Sequence, residues 1–250
     1  MNDSVRIAPP PGYGALVALD RTKHRGLAPR NPLPFGGKLN ALYITGTEFP
    51  LAARYYPIVF VKDSGRDAYV SMVVTALTAG ENLFVDEAGQ WVRDVYVPAY
   101  ARRYPFCVAQ VLDDGGEPRQ NLICVDEGAL ERSDKPLIDA RGEPTEAWHA
   151  IDRFLTEMEG ARLHTERLCR ALEDLDLLEP FEAQAFVNDG GKFHLKNMYR
   201  VTEERLRKLS GDVLEELVAN SDLGRVYAHL LSLDNFKFLV DRAATRRATA

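Results

Sequence analysis

ARYYPIVF at residues 53–60 and ARRYPFCV at residues 101–108 share one pattern, Ala-Arg-x-Tyr-Pro followed by an apolar run. Proline is tolerated at the first position of a strand because its missing N–H is not yet needed there, and it biases the preceding tyrosine away from helix. Each stretch therefore predicts a helical or coiled segment that ends at Tyr-Pro and continues as a strand. Eight matched positions are weak evidence for an internal duplication.

Around these two stretches, residues 39 to about 126 consist of short apolar runs separated by turn residues. The predicted strands are residues 41–44, 58–61, 69–77, 83–85, 106–112 and 121–125. Turns rich in Asp and Gly are predicted at residues 62–66, 86–89 and 113–117. This part of the chain is predicted to be β-rich, with a mainly antiparallel sheet.

The later part of the chain changes to helical periodicity. Thr145 and Glu146 are typical of a helix start, and apolar residues then recur at spacings of three, four or seven as far as Leu175. Gly160 interrupts this stretch and predicts a kink or a break, because glycine costs about 1 kcal/mol in a helix interior relative to alanine.

A β-hairpin is predicted next, from residues 181–187 and 192–199 around an Asn-Asp-Gly-Gly turn at residues 188–191. Helical periodicity then resumes after Thr202. Three arginines stand among alanines in the C-terminal tail, which we expect to fray into solvent: Arg242, Arg246 and Arg247. The predicted class is α+β, with a β-rich N-terminal half and a helical C-terminal half that contains one hairpin.

Proline punctuates residues 1–38, which predicts an extended arm with room for a short strand at residues 16–19. Residues 39–140 form the β-rich half and residues 145–242 the mainly helical half. We expect these parts to make one compact domain.

The overall charge restricts the function. A formal net charge of −6 argues against general nucleic-acid binding, for which a basic stripe is expected.

No apolar run reaches the roughly 18 residues of a membrane span. The N-terminal residues lack the apolar core of a secretion signal, so we expect a cytoplasmic protein.

The three cysteines, Cys107, Cys124 and Cys169, cannot all pair, and no two have CxxC spacing. Small buried thiols are the expected interpretation. A reactive thiol requires a cationic or helix-terminal environment, which sequence does not reveal.

Arginines in the repeated motif are the first candidates for a binding site. Arg54, Arg102 and Arg103 can pair with carboxylates elsewhere in the fold, in which case Tyr56 and Tyr104 fill the edge of the core. Alternatively, the arginines converge on a pocket and bind a carboxylate or phosphate through the planar guanidinium.

Aromatic and acidic residues near these arginines extend the candidate site. Trp91 and Tyr100 add ring area, which together with arginine is typical of recognition surfaces. Asp126 follows an apolar strand and is either a turn acid or a partner of one of the arginines. The predicted ligand-binding residues are Arg54, Tyr56, Trp91, Tyr100, Arg102, Arg103, Tyr104 and Asp126.

Signatures of catalysis are missing from the sequence. No phosphate-binding loop, dinucleotide fingerprint or nucleophile elbow occurs, and the five histidines form no metal-binding motif. We therefore predict no catalytic residue, metal site or cofactor, and leave open whether the protein is an enzyme.

Several long blocks resemble the SapC-like family of bacterial proteins. The most specific is ENLFVDEAGQWVRDVYVPAYARRYPF at residues 81–106, and EFPLAARYYPIVF at residues 48–60 and HLLSLDNFKFL at residues 229–239 also match. The resemblance covers nearly the whole chain. It implies a cytoplasmic accessory role in nutrient acquisition or peptide modification, and it supplies no catalytic residues.

Three functions compete at this point. The preferred one is a recognition or accessory protein that binds a small anionic ligand, a peptide or a protein partner. The second is an enzyme with an unfamiliar, metal-dependent, oxygenase-associated site. The third is a surface-layer protein, as the family name suggests, although neither an export signal nor repeats are visible.

Overall fold

Ten β-strands and seven α-helices occur in the residues that the computed structural model describes, which are 9–31, 34–63, 65–112, 118–186 and 192–249. The strands are β1 (Leu16–Ala18), β2 (Leu27–Pro29), β3 (Ala41–Tyr43), β4 (Ile58–Asp63), β5 (Ala68–Val74), β6 (Phe106–Leu112), β7 (Pro118–Asp126), β8 (Leu130–Arg132), β9 (Leu178–Phe186) and β10 (Lys192–Val201). The helices are α1 (Phe49–Ala52), α2 (Ala99–Arg102), α3 (Glu146–Asp174), α4 (Glu203–Leu206), α5 (Gly211–Ala219), α6 (Asp222–Ser232) and α7 (Asn235–Thr249). The predicted α+β class is confirmed.

Both Tyr-Pro motifs connect a short helix to a strand, as predicted. The first follows α1 and leads into β4, and the second follows α2 and leads into β6. The predicted strand at residues 106–112 coincides with β6. The predicted hairpin around residues 188–191 is present as the antiparallel pair β9 and β10. Its turn residues, the turn at 113–117 and Ser64 of the turn at 62–66 lie outside the described residues.

The chain divides into two compact units. Unit 1 comprises Met1–Phe35 and Ala101–Glu159, and unit 2 comprises Gly36–Tyr100 and Gly160–Ala250. Each unit therefore combines segments of the predicted β-rich half with segments of the predicted helical half.

Unit 1 contains an antiparallel sheet in the order β1-β7-β6 and a separate pair of strands, β2 and β8. Its core is built from Phe106 and Val125 of the sheet, together with Trp148 and Leu155 of α3. Trp148 and Leu155 are seven positions apart and therefore lie on one helical face. Ile151, from the apolar stripe predicted on this helix, packs against the same core.

Unit 2 contains a five-stranded antiparallel sheet in the order β3-β5-β4-β10-β9. Strands β4 and β5 form a hairpin, whereas β10 joins β4 from far along the chain, with Tyr199 opposite Phe60. Phe49, Tyr56 and Phe60 are among its fully buried side chains. None of the described helices is long and apolar enough to cross a membrane.

The strand predicted at residues 83–85 is not formed. Asn82 shapes this segment instead, because its side-chain oxygen accepts from the Phe84 N–H (2.9 Å) and its carbonyl accepts from the Val85 N–H (3.4 Å). Only an isolated bridge joins Val85 to Trp91 across the predicted turn. The segment is therefore a loop closed by one asparagine, which apolar patterning alone cannot reveal.

The break predicted at Gly160 is also absent, since α3 is continuous from Glu146 to Asp174. The buried residues Leu155 and Leu168 lie on either side of the glycine and keep the helix packed. Packing therefore outweighs the local preference of a single glycine.

The C-terminal tail does not fray as predicted. Helix α7 reaches Thr249, and Arg242 and Arg246 from its second half contact Phe84 and the loop around it. These contacts bring the tail into the candidate site described below.

Candidate functional site

The Tyr-Pro turn of unit 2 is fixed by polar side chains of α6 and α7. Ser232 Oγ accepts from the Ile58 N–H (2.9 Å), and Asn235 Nδ2 donates to the carbonyls of Ala53 (2.7 Å) and Tyr56 (3.1 Å). Both side chains are buried. They satisfy backbone groups of the turn, which would otherwise be costly to bury.

His229 of α6 completes this attachment. Its Nε2 accepts from the Val201 N–H (3.0 Å), so the proton lies on Nδ1, which donates to the Ile58 carbonyl (2.8 Å). Burial lowers the pKa of His229 to about 4. The imidazole is therefore neutral and occupied on both sides, and it ties β4 to β10.

Tyr56 lies in the core, next to Phe84. Its hydroxyl donates to the Tyr96 carbonyl (2.6 Å), and its ring meets Phe84 edge-on at 4.5 Å between centroids. Burial raises the pKa of this phenol well above its ordinary value. Tyr56 thus supports Phe84 from the core.

A groove of about 980 Å³ opens above Phe84. It is formed by Gly37 and three segments: the start of the first Tyr-Pro motif, the loop closed by Asn82, and one face of α7. Its lining residues are Gly37, Arg54, Tyr55, Leu83, Phe84, Val85, Asp86, Glu87, Asn235, Phe238, Asp241, Arg242, Thr245 and Arg246. We call this feature the unit 2 groove.

Arg246 closes the loop side of the groove. Its two terminal nitrogens donate to the carbonyls of Asn82 (2.8 Å) and Val85 (2.7 Å). The residue is half-buried. Arg246 therefore holds the loop against α7.

Arg242 and Arg54 present their guanidinium groups differently. The Arg242 guanidinium lies over the Phe84 ring at 4.5 Å, and that of Arg54 lies over the Tyr55 ring at 5.7 Å. Both residues are exposed, and neither forms an ion pair within the part of the chain that the structure describes. Stacking restrains a guanidinium while leaving its N–H edge able to donate.

Three carboxylates also line the groove, those of Asp86, Glu87 and Asp241. The three arginines and three acids give the lining a formal charge of zero. Phe238 adds an apolar surface that is 52% exposed. The groove therefore offers two localised cationic groups beside aromatic rings, and not a broad positive surface.

The predicted site residues divide between the two units. Arg54, Tyr56, Trp91 and Tyr100 belong to unit 2, while Arg102, Arg103, Tyr104 and Asp126 belong to unit 1. Of these eight, Arg54 lines the unit 2 groove. The hypothesis that the arginines of both motifs share one pocket stays a prediction.

The unit 1 residues form a local hydrogen-bonded group. Asp126 is buried, and its Oδ2 accepts from the Gly14 N–H (2.7 Å) and the Tyr104 hydroxyl (3.0 Å). Burial, reinforced by this bond to the carboxylate, raises the pKa of Tyr104 to about 12. Arg103 Nε donates to the Tyr13 hydroxyl (3.2 Å).

The remaining predicted residues pack against rings or lie within the fold. The Arg102 guanidinium lies over the Phe154 ring at 5.0 Å. Tyr100 is buried, and Trp91 is half-buried beside Gly36, whose positive φ of 86° suits glycine.

Phe238, Arg242 and Arg246 were not among the predicted site residues. Together with Asn235 they recur at spacings of three and four, which places them on one face of α7. That periodicity was visible in the sequence, but the alanine-rich tail predicted fraying instead.

The exposed guanidinium groups of the groove are able to donate hydrogen bonds to an anionic group. Among the described residues, no three His, Cys, Asp or Glu side chains are grouped to hold a metal ion. The cationic groups and rings of the groove match a carboxylate attached to an apolar or aromatic body.

A family model described as SapC matches residues 19–239, which is most of the chain. No curated protein and no solved structure matches it.

Proposed function

Because the chain belongs to the SapC family, for which the resemblance implies an accessory role, we propose that it is a recognition protein whose unit 2 groove binds the carboxylate of a small ligand or peptide. The observation that carries this proposal is the pair formed by Arg54 and Arg242. Both guanidinium groups are stacked on rings, exposed to the groove and without an ion-pair partner among the described residues.

Arginine suits this role better than lysine. Its planar group can donate two parallel hydrogen bonds to a carboxylate, and such charge-assisted bonds are about twice as strong as neutral ones. Stacking on Phe84 and Tyr55 reduces the conformational freedom that binding would otherwise remove.

The charges and size of the groove narrow the ligand class. The acidic residues Asp86, Glu87 and Asp241 would repel a polyanion, whereas a single carboxylate placed at the arginines avoids most of that repulsion. A volume of about 980 Å³ lies within the range for small-molecule sites. Phe238 and Tyr55 favour an apolar or aromatic group next to the carboxylate.

A matched pair of probes tests the proposal. N-acetyl-L-phenylalanine carries the carboxylate and the ring, and its amide lacks the negative charge and has an NH2 donor in place of one acceptor oxygen. We expect the acid to bind with a Kd of about 1 mM, which suits so small a ligand, and the amide to bind at least about tenfold more weakly.

Variants assign the binding to the groove. Arg54→Ala and Arg242→Lys should each weaken binding of the acid by about tenfold, because each removes charge-assisted or bidentate hydrogen bonds. Arg170→Ala is the control, since Arg170 is an exposed arginine of α3 outside the groove. Equal binding of acid and amide, or equal loss in the control, would refute the proposal.

A further inference from the structure

Cys107 and Cys124 face each other across the sheet of unit 1. They are directly opposite in the antiparallel pair of β6 and β7, so their side chains lie on the same face. Both residues are buried, at 2% and 0% exposure. Two thiols are thus enclosed together in one sheet.

The register also fixes their separation. The Asp126 N–H donates to the Pro105 carbonyl (2.9 Å), next to the paired residues Phe106 and Val125. Since hydrogen-bonded pairs recur every second residue, Cys107 and Cys124 also form such a pair, for which Cα atoms are about 5.5 Å apart. Disulfides usually span Cα distances of about 4.4–6.8 Å.

The two thiols differ electrostatically. The neighbouring Cys124 thiol lowers the pKa of Cys107, and the nearby Arg103 guanidinium lowers it further against the opposing effect of burial. The neighbouring Cys107 thiol and burial raise the pKa of Cys124, whose thiol donates to the Leu122 carbonyl (3.8 Å). Cys107 therefore ionises first, and a thiolate is the reactive form in disulfide exchange.

We propose that Cys107 and Cys124 are a redox-active pair that oxidises reversibly to an intrachain disulfide. This proposal is independent of the unit 2 groove. Strand β6 is an edge strand in the order β1-β7-β6, and local opening of an edge exposes Cys107 to a small disulfide oxidant.

Oxidised glutathione provides a balanced reaction. The Cys107 thiolate attacks one glutathione sulfur, forming a mixed disulfide and releasing a glutathione thiolate. Cys124 then loses its proton and attacks the Cys107 sulfur, which forms the intrachain bond and releases the second glutathione thiolate. The two released thiolates take up the two protons, so that two protein thiols and one glutathione disulfide yield one protein disulfide and two glutathione thiols.

Mass spectrometry of the full chain tests the proposal. After incubation with oxidised glutathione, acid quenching, denaturation and alkylation, we expect one of the three cysteines to be alkylated, Cys169. Trypsin should release residues 104–119 linked to residues 120–132, and dithiothreitol should restore all three thiols. Cys169 is the internal control, because burial raises its pKa to about 12.

Single substitutions separate pairing from general oxidation. Cys169→Ser should form the linked peptides as the wild type does, whereas Cys107→Ser and Cys124→Ser should form none. The wild-type digest decides the question even if a variant fails to fold. Stable glutathione adducts on Cys107 without linkage, or three alkylated cysteines after oxidation, would overturn the proposal.

Discussion

The buried imidazole of His229 connects a single residue to the pH dependence of the whole protein. In the folded state both of its nitrogens are occupied and its pKa is about 4, whereas an unfolded imidazole has a pKa of about 6.5. Between these values the unfolded chain binds a proton that the folded chain does not. Stability from this residue is complete above about pH 6.5 and is lost as the pH falls toward 4.

We predict that the free energy of unfolding decreases by about 1.4 kcal/mol per pH unit through this window, or by about 3 kcal/mol in total, from His229 alone. Urea denaturation between pH 4 and pH 8 measures the slope. In His229→Gln this contribution should vanish, because glutamine carries no titratable group. An unchanged slope in the variant would show that His229 is not the responsible group.

The sequence identified Arg54 and Tyr56 as candidates for the site, but it did not reveal which of the two lines the groove. Arg54 was predicted as a ligand-binding residue and lines the groove. Tyr56, from the same motif, packs against Phe84 from the core, and its hydroxyl donates to the Tyr96 carbonyl. Neighbouring positions in a turn point in different directions, and only the three-dimensional path of the turn distinguishes them.

At the scale of elements, α7 shows why local patterns are insufficient. Its alanines and arginines predicted fraying, yet Arg246 donates to two carbonyls of a loop more than 160 residues earlier in the chain. The same bonds shape the loop at residues 83–85, where a strand was predicted. The second half of α7 therefore owes its conformation to a contact with a distant segment that no local sequence window contains.

Helix α3 forms although it contains Gly160, and the low helix propensity of this glycine still reduces the stability of the helix. Gly160 is exposed in the helix, and a Cβ built there meets no atom within 4 Å. We predict that Gly160→Ala increases the free energy of unfolding by about 1 kcal/mol, because alanine has the higher helix propensity. Urea denaturation measures the change.

Gly36→Ala is the contrasting variant. Gly36 has a φ of 86°, a conformation that alanine adopts only with strain, so that alanine should destabilise the protein. If Gly160→Ala were destabilising as well, α3 would require glycine for a reason other than helix propensity.

At the scale of the whole molecule, the change of period along the chain was enough to predict the α+β class. Strands and helices are local features, and apolar spacing reports them directly. The pairing of β4 with β10 is not local, and it brings the first Tyr-Pro motif beside α6. The groove therefore depends on a contact between distant parts of the chain. The sequence predicted one of its three arginines, Arg54, and missed Arg242 and Arg246.

If Arg54 and Arg242 bind one carboxylate in the unit 2 groove, the Nε–H groups of both arginines should respond to the ligand, and side-chain NMR measures that response. Signals are assigned from the Arg54→Ala, Arg242→Lys and Arg170→Ala variants, and the protein is titrated with N-acetyl-L-phenylalanine. We predict that the Arg54 and Arg242 signals shift along one saturation curve, that the amide causes no such shift, and that Arg170 stays constant. Binding of the acid with both groove signals unchanged would contradict the account.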